Sequence, residues 1–130
     1  MKFEPIRPDA ERVAKAIVDS AYKVHKTLGP GLLESVYEAC LEREFNIRGI
    51  ANERQKPIPI VYEGLAVDAD LRIDFLVEKL VLVELKAVET MIPLFDAQLL
   101  TYMKLTNMRL GLLINFNVPL IKNGIKRKVL

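Results

Sequence analysis

Two segments in the first third of the chain repeat apolar residues at the spacing of an α-helix. The first predicts a helix that Asp9 caps and Gly29 ends, because glycine tolerates left-handed backbone and the next residue is a proline. Its inward face consists of Val13, Ala16, Ile17, Ala21, Val24 and Leu28. The second predicts a helix from about Leu32 to Arg48, closed by Gly49. Its inward face consists of Leu33, Val36, Tyr37, Cys40, Leu41 and Phe45.

The middle of the chain places short apolar runs between turn residues, a pattern typical of β-strands. The run 58–62 predicts a short edge strand, because Pro59 has no N–H to give to a sheet. The runs 71–77 and 81–86 flank the polar connection 78–80 and predict a β-hairpin.

The length of that connection sets the register of the hairpin. With a three-residue loop, Val77 pairs with Val81, and antiparallel counting places Asp74 opposite Glu84 on one face, with Lys86 close by. Like charges opposite each other destabilise a sheet, and unpaired buried charges cost more. A divalent cation would offset that cost, and carboxylate oxygens suit magnesium or manganese better than zinc. The alternative is an edge hairpin with solvated charges, but apolar residues flank each of these charges.

After the hairpin, the chain predicts a helix and then a buried strand. Pro93 begins the helix, on which Gln98 and Tyr102 are four residues apart and therefore share a face. The inward positions of this helix include Leu94, Ala97, Leu100 and Leu105. The apolar run 110–116 predicts a strand covered on both faces, which a parallel crossover joins to the strand 81–86.

The tail from Lys122 to Leu130 is basic, and two interpretations of it stay open. A solvated last strand is the commoner case, and an edge that contacts phosphates is the functional one. The net charge of +2 permits a polyanionic partner without arguing for one, because nucleic-acid binders are marked by clustered charge.

Length and composition predict one globular domain over residues 1–130, since the chain is 51% hydrophobic and long enough to bury a core. The one cysteine, Cys40, excludes an internal disulfide and is interpreted as a small core residue. The one histidine, His25, is interpreted as a helix-surface or capping residue, and no zinc site is expected. No apolar run has the length of a signal peptide or a bilayer span, so we expect a cytoplasmic protein.

Two glutamates lie near the inward face of the second helix. Helical geometry does not choose between Glu34 and Glu44, and a glutamate in such a position is more often ion-paired than a ligand. Glu34 has the advantage of the first turn, where the helix dipole and free amides favour an anion.

The order of these motifs resembles the PD-(D/E)XK nuclease superfamily: a helix, a strand with Asp74, a strand with Glu84-Leu85-Lys86, a helix with Gln98 and Tyr102, and a strand. Within it, the segment Gly31-Leu32-Leu33-Glu34-Ser35-Val36-Tyr37 is similar to the signature of the GxxExxY protein family. The resemblance runs from the first helix to Val129. It implies an α/β fold with a restriction-endonuclease-like core, a mixed central sheet flanked by helices in the order helix, helix, strand hairpin, strand, helix, strand.

The resemblance also implies a metal site and favours Glu34 over Glu44. Asp74 and Glu84 would ligate magnesium, or manganese. Glu34 would complete the acidic set directly or through water, and the carbonyl of Leu85 would be a further ligand.

The same resemblance implies roles for three other side chains. Lys86 would orient the attacking water or help to deprotonate it, which suits an amine whose pKa falls readily on burial. Gln98 and Tyr102 match a helix motif that supports the site and holds the substrate backbone. A bound magnesium would supply the nucleophile and stabilise charge on the phosphoryl oxygens.

The function that follows is a metal-dependent phosphodiesterase acting on nucleic acid, with DNA favoured over RNA. One alternative is a catalytically silent binding or scaffold module with a nuclease fold, acting through a partner. Another is a dimeric structural protein with a buried ion-pair network of Asp74, Glu84 and Lys86. The size of the chain suits a homodimer or a protein partner without indicating either.

Overall fold

The computed structural model describes residues 4–130. Its elements are α1 (Pro8–Leu28), α2 (Glu34–Ile47), β1 (Asn52–Pro57), β2 (Ile60–Tyr62), β3 (Leu65–Val67), β4 (Arg72–Val77), β5 (Val81–Lys86), α3 (Pro93–Thr106), β6 (Leu110–Asn115), a 3₁₀ turn (Ile121–Gly124) and β7 (Ile125–Val129). Five strands form one mixed sheet in the order β1-β4-β5-β6-β7, and β2 pairs with β3 separately. The predicted α/β fold with a mixed central sheet is confirmed.

The β4–β5 hairpin has the register that the three-residue loop predicts, with Val77 paired to Val81. Glu78 and Lys79 both have positive φ, 52° and 57°, which is costly for residues with a Cβ. Two hydrogen bonds hold this turn, because the N–H of Glu78 donates to the carbonyl of Ala51 and the Glu78 carboxylate accepts from the N–H of Ala51, each at 2.8 Å. The turn is therefore fixed by the segment that leads into β1.

β5 and β6 run parallel, with α3 as the crossover between them, as predicted. The helices cover both faces of the sheet, because apolar residues of β5 pack in two separate clusters. Val83 and Leu85 pack with α1 and α2, whereas Leu82 packs with α3. Glu84 lies between Val83 and Leu85 and so projects toward the α3 side, as the alternation of a strand requires.

The helices begin later or earlier than the sequence predicts. α1 begins at Pro8 with Arg7 in the capping position, because proline is pre-organised for the first helical residue. Asp9 is therefore in the first turn, and the prediction that it caps the helix is wrong. α2 begins at Glu34 rather than about Leu32.

No helix within residues 4–130 has the length and hydrophobicity needed to cross a membrane.

Several predicted inward positions are exposed instead. Leu33 and Val36 are 74% and 37% exposed, and the buried residues of α2 are Tyr37, Glu38, Leu41 and Phe45. On α3 the buried residues are Leu99, Tyr102 and Met103. Leu94, Ala97 and Leu105, predicted to face inward, are exposed.

One edge strand of the main sheet is β1, which the hydrophobic pattern does not predict. Its sequence is polar, Asn-Glu-Arg-Gln-Lys-Pro, yet it pairs antiparallel with β4 along its length. The predicted edge strand over 58–62 is displaced: β2 pairs only with β3, and this small hairpin leaves Val61 and Tyr62 exposed.

His25 is buried, and its interpretation as a surface or capping residue is wrong. Its Nε2 atom lies 2.8 Å from the carbonyl oxygen of Val118, and its ring faces that of Phe116 at 6.5 Å. The side chain therefore joins α1 to the loop after β6. Cys40 is half-buried and packs against the core, as expected.

Candidate active site

Asp74 and Glu84 meet where the β4–β5 ladder ends, one residue beyond the pair Phe75–Val83. The N–H of Asp74 donates to Oε1 of Glu84 at 2.9 Å, and the N–H of Leu85 donates to Oδ2 of Asp74 at 2.8 Å. Each acid thus binds the backbone of the opposite strand. The structure brings the two carboxylates together, as the register predicts.

This arrangement disfavours two negative charges. Burial raises the pKa of Glu84 to about 8, and the charge of Asp74 adds to the effect. Burial also raises the pKa of Asp74, although the N–H of Leu85 opposes the shift. The two carboxyl groups are close enough to share a proton, so the site holds one near neutral pH when no cation is bound.

Two glutamates of α2 extend the acidic cluster. Glu34 is exposed, but partial burial of its carboxyl group and the charge of Asp74 raise its pKa, so it senses the charge of the hairpin acids. Glu38, one turn later, is only 8% exposed and pairs with Arg54 of β1 at 3.2 Å. Glu44 pairs with its helical neighbour, Arg48, at 2.6 Å. The first two glutamates belong to the cluster, and Glu44 does not.

Gln55 joins this cluster from β1. Its Nε2 atom donates to Oε1 of Glu38 at 2.6 Å and to Oδ1 of Asp74 at 3.1 Å. Its φ of 53° is left-handed and interrupts the β1–β4 pairing between Arg54 and Lys56. Such strain persists only where surrounding contacts enforce it, and it gathers at functional sites.

The strand opposite Gln55 is irregular as well. Ile73 packs with the α3 cluster, whereas Phe75 packs with the cluster of α1 and α2. Residues two apart on a regular strand share a face. The alternation therefore breaks at Asp74, which turns its carboxylate toward both Gln55 and β5.

Neither Glu38 nor Gln55 follows from the hydrophobic pattern. A signal for Glu38 exists in the sequence, because it is four residues after Glu34 and shares its helical face. No comparable signal marks Gln55, because its position depends on a strained backbone in a strand that the pattern does not predict.

Lys86 lies against α3. Its Nζ atom is 4.2 Å from the centre of the Phe95 ring, a cation–π contact. No carboxylate in the part of the chain that the structure describes is within salt-bridge distance of it. Its charge nevertheless lowers the pKa of Glu34 and of Glu84, against the larger effects of burial.

Gln98 and Tyr102 lie on α3, the helix that Lys86 also contacts. Tyr102 is 9% exposed, and burial followed by the charge of Glu84 raises the pKa of its hydroxyl, while neighbouring Gln98 lowers it. At neutral pH the hydroxyl therefore keeps its proton and can donate a hydrogen bond.

Tyr37 fixes the loop that leads to Glu34. Its hydroxyl donates to the carbonyl of Gly29 at 2.6 Å and accepts from the N–H of Leu32 at 3.1 Å. Its ring stacks on Phe116 with centroids 4.6 Å apart. The tyrosine of the signature thus holds the loop just before Glu34 and positions the start of α2.

The donor set fits a hard divalent cation. Within residues 4–130, the four carboxylates of Glu34, Glu38, Asp74 and Glu84 face two cationic groups, those of Arg54 and Lys86. Oxygen ligands and excess negative charge are what magnesium and manganese require. Among residues 4–130, however, no three acidic, histidine or cysteine side chains already converge as a metal-binding group. Asp74 and Glu84 instead accept hydrogen bonds from backbone amides.

The raised pKa values predict how stability depends on pH. In buffer without divalent ions, we expect the free energy of unfolding to fall as the pH rises from about 5 to about 8. Folded Glu84 keeps its proton up to about pH 8, whereas the unfolded chain loses it near pH 4.5. One such group costs up to about 1.4 kcal/mol per pH unit over this interval. The raised pKa values of Asp74 and Glu34 act in the same direction.

Urea denaturation in EDTA at several pH values measures this slope. A free energy of unfolding that stays constant or increases between pH 5 and 8 would contradict the burial of an uncompensated carboxyl pair.

A family model of the PD-(D/E)XK nuclease superfamily matches residues 11–128, from the start of α1 to β7. Neither the curated proteins nor the solved structures contain a significant match.

Proposed function

This chain belongs to the PD-(D/E)XK nuclease superfamily, and we propose that it is a metal-dependent phosphodiesterase that hydrolyses the backbone of nucleic acid, DNA in preference to RNA. The observation that carries the proposal is the pair of half-buried Asp74 and buried Glu84, whose charge the described cationic groups do not balance. Within the superfamily we assign the chain to the GxxExxY proteins, on the signature of Gly31, Glu34 and Tyr37.

The cation would be magnesium or manganese. Asp74 and Glu84 would hold it, with Glu34 as a ligand directly or through water and the carbonyl of Leu85 as a further oxygen. When bound, the ion would supply a nucleophilic water at neutral pH and stabilise charge on the phosphoryl oxygens.

The remaining residues act on water and substrate. Lys86, held over Phe95, orients the attacking water or helps to take its proton. Tyr102, protonated at neutral pH, donates to a non-bridging phosphate oxygen. Gln98 supports that hydroxyl and holds the substrate backbone.

A second function stays open, a binding or scaffold module that keeps the fold without turnover. It is favoured by the hydrogen bonds that already occupy the carboxylates of Asp74 and Glu84. Such a module would bind metal or nucleic acid without cleaving it.

A cleavage assay on single-stranded, duplex and branched DNA and on RNA tests the proposal. We expect cleavage with magnesium or manganese, none in EDTA, and at least about a 10²-fold loss in Asp74→Asn. We also expect either ion to raise the melting temperature of the wild type, because it binds the folded chain.

The outcomes separate the candidates. Cleavage at the wild-type rate in Asp74→Asn contradicts the assignment of Asp74 as a metal ligand. Stabilisation by metal without cleavage of any substrate favours the binding module, and the absence of both effects contradicts the metal site.

A further inference from the structure

A cavity of about 520 Å³ lies between the end of α1 and the segment that follows β6. We call it the lysine groove, and its lining includes Tyr22, Lys23, Lys26, Pro30, Leu120 and Lys122. Its volume is in the range of pockets that hold one small organic ligand. It is separate from the acidic cluster, and none of its residues has a role in the proposed hydrolysis.

The three lysines give the groove uncompensated positive charge. Lys23, Lys26 and Lys122 are exposed, and none is within salt-bridge distance of a carboxylate in residues 4–130. An unpaired cluster of this kind attracts polyanions and is the usual contact for phosphates.

The basic residues of β7 differ in this respect. Lys126 and Lys128 both pair with Asp96 of α3, at 3.4 Å and 2.8 Å, and Arg127 pairs with Glu11 of α1 at 2.6 Å. The basic residues of β7, one interpretation of which is a phosphate-contacting edge, are therefore each paired with a carboxylate. The lysine groove has the same number of cationic side chains without that compensation.

The remaining lining of the groove is apolar and suits an unpaired base. Tyr22 is 44% exposed and Leu120 is 55% exposed, with Pro30 beside them. Bases stack on exposed aromatic side chains of single-strand binding proteins in a sequence-tolerant way. Bases of an intact duplex are stacked on each other and do not offer this face.

The groove adjoins the candidate active site through both of its walls. Pro30 is four residues before Glu34, so the chain between them reaches at most about 14 Å. On the other wall, Pro119 is three residues after Phe116, whose N–H donates to the carbonyl of Lys86 at 2.9 Å. The end of β6 is next to the end of β5 in the sheet. Nucleic acid that lies in the groove would therefore run past the carboxyl ends of β6 and β5 toward Asp74 and Glu84.

We propose that the lysine groove binds the phosphates and one unpaired base of a single-stranded segment of the nucleic acid, next to the bond that is cleaved. This inference rests on the proposed function, because it names the form in which that substrate lies on the protein.

The test compares two triple variants that remove the same charge. One is Lys23→Gln, Lys26→Gln and Lys122→Gln, and the control is Lys126→Gln, Arg127→Gln and Lys128→Gln. Binding of a labelled single-stranded oligothymidylate of about 12 nucleotides is measured in EDTA at several salt concentrations. We expect the groove variant to bind at least about 10-fold more weakly and its salt slope to fall by about 2, since each lost contact removes about 0.7. A loss no larger than that of the control would overturn the proposal.

A second measurement uses the wild-type chain. Acetylation of lysines with and without the oligothymidylate should show protection at Lys23, Lys26 and Lys122 and none at exposed Lys104 of α3. Equal reactivity of the groove lysines in both conditions contradicts the proposal.

The two proposals fail in different ways. If the groove variant binds more weakly but the protein cleaves no substrate, the groove proposal is supported and the nuclease proposal is contradicted. If the groove variant and the wild type show metal-dependent cleavage with the same KM, the nuclease proposal is supported and the groove proposal is contradicted.

Discussion

Glu84→Gln is expected to lower the rate of metal-dependent hydrolysis by about 10³-fold or more. The same variant is expected to stabilise the protein at pH 8 in EDTA. Activity falls because the proposed cation loses a charged ligand. Stability rises because the amide is neutral, its oxygen still accepts from the N–H of Asp74, and its N–H group can donate to the Asp74 carboxylate. The expected gain is about 1 to 3 kcal/mol, since burial no longer penalises a second charge.

Initial rates in magnesium and urea denaturation in EDTA measure the two effects on the same preparation. The slope of stability between pH 5 and 8 should flatten in this variant. Glu44→Gln is the matched control, because Glu44 is a glutamate paired with Arg48 outside the acidic cluster. Wild-type rates in Glu84→Gln, or a less stable protein at pH 8, would contradict the assignment of Glu84.

Lys86→Met is expected to lower kcat by about 10²- to 10⁴-fold while KM and folding change little. Methionine keeps a flexible apolar stem over the Phe95 ring and removes only the ammonium group. Because Lys86 is proposed to act on water rather than on the cation, magnesium should still raise the melting temperature of the variant.

Single-turnover rates and thermal melts with and without magnesium separate these effects. Lys104→Met, an exposed lysine on α3, is the control for removing one positive charge. An unchanged kcat would show that the lysine takes no part in hydrolysis. A lost metal response would show that it is needed to form the acidic site.

The hairpin could be predicted from the sequence because one property, the length of the loop, fixes the position of every residue that follows. Val77 pairs with Val81 as expected, and Asp74 therefore meets Glu84. The parallel crossover between β5 and β6 also follows from the pattern, since a helix separates two apolar runs.

Other features depend on contacts that no local pattern encodes. β1 is polar, with Arg54 and Gln55 bound to acids of the cluster, so no hydrophobic alternation marks it. The local pattern indicates a surface position for His25, but the loop after β6 covers it and places the carbonyl of Val118 within hydrogen-bond distance of its ring. Leu33 lies before the first residue of α2 and is exposed, so the buried face of this helix begins at Tyr37.

The acids at the end of the hairpin also connect the chemistry of the site to the backbone. The amides of Asp74 and Leu85 donate to carboxylates across the strands rather than to carbonyl groups. A change in the charge of either carboxylate, by protonation or by a bound ion, alters the partner of an amide proton. These two peptide groups are therefore built-in spectroscopic reporters, and their amide resonances follow the state of the site without a label or a substrate.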